Sequence, residues 1–94
     1  MSELDEEARE RLQTELREEL RARVAKRIRE LAQARRLPLT HLADEAGVSR
    51  AHLWTVLGGK NAASIDFLAK LAVVLGVDPD ELVKRYRKPR SRGG

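Results

Sequence analysis

From about Glu3 to Arg35 the chain carries neither Gly nor Pro, and its apolar positions recur every fourth residue: Leu4, Ala8, Leu12, Leu16, Leu20, Val24 and Ile28, then Leu31. That spacing predicts one long helix, or two with a break near residues 18–22, ended by Leu37-Pro38, because a residue before proline is pushed out of the helical region. A step of four advances about 400° at 100° per residue, so the apolar stripe drifts about 40° per step. Leu12 and Leu16 therefore point well away from Ile28, and one small domain does not cover both ends. Val24, Ile28 and Leu31 are assigned to a core. Leu12, Leu16 and Leu20 are assigned to another contact, with a second copy of the chain as the expected partner. Ser2 and Asp5 give a weak capping signal. Acid-to-Arg pairs four apart (Asp5–Arg9, Glu7–Arg11, Glu19–Arg23) add small increments to the helix.

Beyond Pro38, the segment LTHLADEAGVSRAHLWTVLG (Leu39–Gly58) reads as two short helices around a tight turn. Leu42, Ala43 and Ala46 form one apolar face, with Ala43 small enough for a second helix to cross closely. Gly47 stands where the chain turns and is expected at positive φ. Val48 plugs the corner and Ser49 caps the next helix. Leu53, Val56 and Leu57 face back toward the first helix, while Arg50, Ala51, Trp54 and Thr55 point elsewhere. A helix with one buried side and one side free, held across such a turn, is the unit that proteins lay in the DNA major groove. Gly58-Gly59 then ends the helix and Lys60 to Ala63 form a loop. Ser64 opens a further helix with Ile65, Leu68, Ala69, Leu71, Ala72 and Leu75 on its inner side, closed by Gly76. Asp78-Pro79-Asp80-Glu81 is a strong helix start for a last helix carrying Leu82, Val83 and Tyr86. No segment reads as a strand. The pattern is all-α: an acidic helical arm over residues 1–20 continuous with the first helix, a domain over residues 21–86, and a basic tail, RKPRSRGG, over residues 87–94 expected to be disordered.

At 94 residues and 41% hydrophobic content the chain supports one modest core, built from Leu, Val, Ile and Ala because aromatics make up only 3%. Charge is split along the chain. Residues 1–20 hold eight acids against three bases, and residues 21–94 hold sixteen bases against seven acids, within an overall net charge of +4. The two-helix unit lies in the positive part, which favours an anionic partner. The absence of Cys excludes disulfides and thiolate chemistry, and two His (His41 and His52) are too few for a metal cluster. No cofactor is implied, and no apolar run approaches the roughly 20 residues that span a bilayer. Nor is there a nucleophile–base set or a glycine-rich phosphate loop, so an enzyme is the least expected reading. A cytoplasmic, nucleoid-associated location is expected.

From Val24 to Leu82 the order of elements resembles the Cro/repressor-type (XRE-like) helix-turn-helix family. The residues that carry the match are Val24, Ile28 and Leu31, Leu42-Ala43, Gly47-Val48-Ser49, Leu53 and Val56, Gly59-Lys60, the LAKLAVVLGV stretch and Asp80-Glu81-Leu82. The resemblance implies a five-helix repressor-like domain, binding of double-stranded DNA as a dimer on a two-fold symmetric site, and transcriptional repression. Three features depart from it. Leu39 stands where the family often has a phosphate-contacting Gln, with Thr40 or His41 as substitutes. Ala32 and Leu57 stand where the family often pairs an Arg with a Glu, so an apolar contact replaces the ion pair. The acidic arm is extra to the usual domain.

On that geometry, Arg50 is the leading base reader, since a guanidinium donates twice to guanine O6 and N7. Ala51 is placed against a thymine methyl and Thr55 against a base or phosphate. Trp54 has two readings, packing on sugars and bases or covering Leu39 and the loop. Thr40, His41, Ser49, His52, Lys60 and Asn61 are assigned to phosphates. The tail is read either as following the DNA or as merely solubilising. Two other functions fit the same residues: an antitoxin-like adaptor whose acidic arm docks a protein partner, and a nonspecific architectural DNA binder.

Overall fold

The computed structural model describes residues 5–84. Asp5 begins the chain's first helix, α1 (Glu6–Ala34), by accepting a 2.7 Å hydrogen bond from the Ala8 amide, and Glu6 and Glu7 sit in the first turn where the helix dipole favours acids. The helix runs unbroken for 29 residues, about 43 Å at 1.5 Å per residue. It stops at Ala34, three residues before Leu37. Arg36 takes a left-handed conformation (φ 55°), and the Leu37 amide folds back onto the Ala32 carbonyl at 2.9 Å.

Three more α-helices follow: α2 (Leu39–Ala46), α3 (Arg50–Leu57) and α4 (Ile65–Leu75). The fifth helical segment is a single 3₁₀ turn, Pro79–Leu82, rather than an α-helix reaching Tyr86, which lies outside the described residues. Its start is the expected one, with the Asp78 side chain accepting from the Asp80 amide and Pro79 in the first position. Two arginines of α1 tie it to the first helix. Arg27 Nε donates to the Glu81 carbonyl at 2.7 Å, and Arg23 Nη1 donates to the Val83 carbonyl at 3.0 Å.

The core lies between the second half of α1 and the four segments that wrap it. Val24, Ile28 and Ala32 supply the α1 side, while Leu42, Leu53, Leu71, Leu75 and Leu82 have no exposed surface. Leu31 is half-buried against this cluster. One expected face is corrected. Ile65 is 83% exposed and Ala69 is also on the surface, while Phe67, which the pattern passed over, is buried. Phe67, Leu71 and Leu75 share the inward stripe, and Ile65, Ala69 and Val73 fall on the opposite side of the same helix.

Arg27 is the one buried charged residue among those described. It meets Glu30 at 3.0 Å and Glu81 at 3.0 Å, and Glu81 also receives Lys84 Nζ at 2.8 Å. The Lys84 hydrogen bond, with Arg27 behind it, holds the Glu81 carboxyl below its ordinary value. A depressed carboxylate contributes stability above its unfolded pKa and loses it as pH falls through the lower folded value. Thermal stability should therefore drop as pH falls below the ordinary carboxyl value of 4.5, and less steeply in Glu81→Gln. Melting curves that decline equally in both proteins would place the acid sensitivity elsewhere.

Candidate nucleic-acid interface

The turn between α2 and α3 forms as the residue types dictate. Gly47 adopts φ 72°, ψ 30°, and the Val48 amide closes on the Ala43 carbonyl at 3.0 Å. Ala43 is wholly buried, so its single methyl allows the close crossing of the two helices. Ser49 caps α3, its hydroxyl accepting from the His52 amide at 2.9 Å. Leu53, Val56 and Leu57 are buried, which fixes the rotation of α3 about its own axis. Ala32 and Leu57 are both buried in the apolar core, and neither carries a charge to pair.

The outward side of α3 carries Arg50, Ala51 and Trp54, all exposed, with Trp54 at 45%. Arg50 does not hang free. Its Nε donates to Asp44 Oδ1 at 3.0 Å and its Nη2 to Asp44 Oδ2 at 2.6 Å, a two-point ion pair across the turn. The Arg50 hydrogen bond lowers the Asp44 pKa, and Asp44 in turn raises that of Arg50. Both groups are therefore charged at any ordinary pH. Asp44 escaped the sequence reading, although an acid in the last turn of α2, six residues before the arginine and across a glycine turn, was its available signal.

Thr55 is half-buried and committed locally. Its hydroxyl donates to the His52 carbonyl at 2.8 Å and accepts from Asn61 Nδ2 at 3.1 Å. The Lys60 and Asn61 amides both donate to the Thr55 carbonyl, at 3.0 and 3.3 Å, so the loop folds against the end of α3. Lys60 itself is exposed at that loop. His52 is half-buried with its ring edge-to-face on Phe67, centroids 4.9 Å apart, which anchors the imidazole to α4. At the other flank, α2 begins after Pro38 with no side-chain cap. Thr40 is half-buried and His41 exposed in that first turn, where helix amide groups lack intrahelical partners. Arg29 was also missed: from α1 its Nη1 donates to the Leu57 carbonyl at 3.2 Å and so closes the C-terminal end of α3.

Arg50, Ala51 and Trp54 thus share an open face, flanked by Ser49 at one end and Lys60 at the other, while His52 and Thr55 turn into the fold. Leu12, Leu16 and Leu20 lie on the exposed part of α1, at 49, 54 and 38% exposure. Among the described residues no group of three or more His, Asp or Glu side chains could hold a metal ion, and no helix is long and apolar enough to cross a membrane.

A short helix held by a glycine turn, buried on one side and exposed on the other, defines a helix-turn-helix DNA-binding protein. Residues 14–84 match the family model described as a helix-turn-helix domain, and the chain belongs to that family, in its XRE-like branch. Among solved structures it is similar to the restriction-modification controller protein C.AhdI from Aeromonas hydrophila, at 32% identity and a TM-score of 0.63. That likeness covers 66% of this chain and 94% of C.AhdI. No curated protein sequence matches the chain. The chain is accordingly a DNA-binding transcription regulator.

Proposed function

We propose that the protein is a sequence-specific repressor that binds operator DNA as a homodimer, with α3 of each copy in a major groove. The observation that carries this reading is the division of α3: Leu53, Val56 and Leu57 are sealed in the core while Arg50, Ala51 and Trp54 remain open. Arg50 reads guanine, Ala51 meets a thymine methyl, and Trp54 packs on the groove wall. Ser49, Lys60, Thr40 and His41 set the register on phosphates. His52 and Thr55, tied to Phe67 and Asn61, support the helix more than they reach from it. The likeness to C.AhdI, a restriction-modification controller, supports regulation rather than catalysis. Control is by occupancy: the bound dimer blocks access to a promoter, in the cytoplasm and at the nucleoid. The exposed leucines of α1 serve the contact between copies.

Fluorescence anisotropy against fragments of genomic DNA tests this. Specific sites should bind with Kd of about 10⁻⁸ M or tighter, at least about 10³-fold better than unrelated duplex, at physiological salt. Affinity should fall steeply with added salt, as expected when several phosphates are neutralised. Equal affinity for every fragment would refute sequence reading and leave only electrostatic attachment.

A further inference from the structure

An open groove of about 240 Å³ lies away from the exposed face of α3, walled by Leu20 and Val24 of α1, Val56 of α3, Leu68 of α4, and Val83. Arg17 and Arg21 stand on its α1 side and Asn61 lies on the other. Leu20 also belongs to the exposed stripe that continues to Leu16 and Leu12, so groove and stripe form one apolar surface along α1.

Charge indicates what covers it. Residues 5–20 hold seven acids against three arginines, whereas residues 21–29 hold five bases and no acid. Two α1 helices lying antiparallel bring the acidic half of each against the basic half of the other. A parallel arrangement would stack acid on acid. The half-buried Arg21 also lines the groove and adds a cation at its α1 wall.

We propose that the groove receives the N-terminal half of α1 from a second copy, the two helices packing antiparallel about a twofold axis near residue 18. This rests on the dimeric reading above and gives it a surface and a register. Leu16 of each copy meets Leu20 of the other, and Leu12 reaches toward Val24. Asn61 lines the groove and also bonds Thr55 at the end of α3. An arm seated there braces the loop that carries Lys60, linking assembly to the DNA-facing surface.

Sedimentation equilibrium of the full chain without DNA is the test, on wild type and Leu16→Asp, from about 0.05 M to about 0.5 M salt. Leu16 is exposed, so its replacement spares the core, and circular dichroism verifies the fold of the variant. Wild type should be a dimer at micromolar concentration. Leu16→Asp should weaken association about 30-fold or more, and added salt should weaken the wild-type dimer, because the antiparallel halves attract through opposite charge. A monomeric wild type, a dimer indifferent to Leu16→Asp, or one that added salt tightens would each overturn the proposal. A monomeric wild type that still prefers one DNA sequence through Arg50 defeats this groove and spares the DNA reading. A dimer with the expected response but no sequence preference does the reverse.

Discussion

Arg50→Ala should weaken operator binding by about 1–3 kcal/mol, roughly five- to 150-fold, while affinity for unrelated duplex changes little. The reason lies in how the guanidinium is already held. Asp44 occupies its Nε and one Nη2 hydrogen, the side edge of the fork. That leaves the end edge, Nη1 and the outer Nη2 hydrogen, for guanine O6 and N7. The carboxylate thus pre-orients the fork and lowers the ordering cost of reading. Arg50→Lys should not rescue, since an ammonium cannot engage both partners in fixed geometry. Asp44→Ala should weaken operator binding by a smaller factor, yet slightly favour nonspecific DNA by removing an acid from the phosphate-facing side. With the Asp44 pKa held low by Arg50, these contrasts should not vary between about pH 5 and about pH 8. Anisotropy titrations on the operator and on single guanine replacements measure all of this at one salt concentration. An equal loss for Arg50→Ala on every duplex would reassign the residue to a phosphate.

Leu53→Ala should produce the largest loss of stability, about 2–5 kcal/mol by urea denaturation, because the side chain has no exposed surface and lies where α3 meets the core. Domains of this kind hold only about 5–15 kcal/mol in total, so the variant approaches the unfolding threshold near physiological temperature. Its DNA binding should fail on warming and return on cooling to about 10 °C, because the outward residues of α3 are intact. A variant that is fully folded in the cold yet does not bind would show that Leu53 sets the pose of the helix rather than only its stability.

Much of this fold was legible because its strongest signals are local. Gly47 at positive φ, the caps at Ser49, Ser64 and Asp78, and the inward Leu53–Val56–Leu57 set depend on residues a few positions apart. The face of α4 was less legible, since that helix is apolar nearly all round and its periodicity does not single out Phe67 over Ile65. Long-range polar ties were not legible. Arg27 and Glu81 are 54 positions apart, and Arg29 meets the Leu57 carbonyl from 28 away. No spacing rule selects those partners. At the interface, exposure of Arg50, Ala51 and Trp54 followed from helical geometry. The diversion of His52 onto Phe67 and of Thr55 onto Asn61 required knowing where α4 and the loop return.

The uninterrupted run of α1 from Glu6 to Ala34 makes it a strut as well as a packing element. Its first half is exposed, while its second half is sunk in the core through Ile28 and Ala32 and tied to α3 by the Arg29 bond to Leu57. On the dimeric reading proposed above, two copies joined through such stiff members would have little freedom to swivel. Adding a single base pair between half-sites would rotate one recognition surface around the duplex axis by about a tenth of a turn. A rigid linkage would not absorb that mismatch by bending, so the distance between half-sites would become as much a part of the operator's message as its bases.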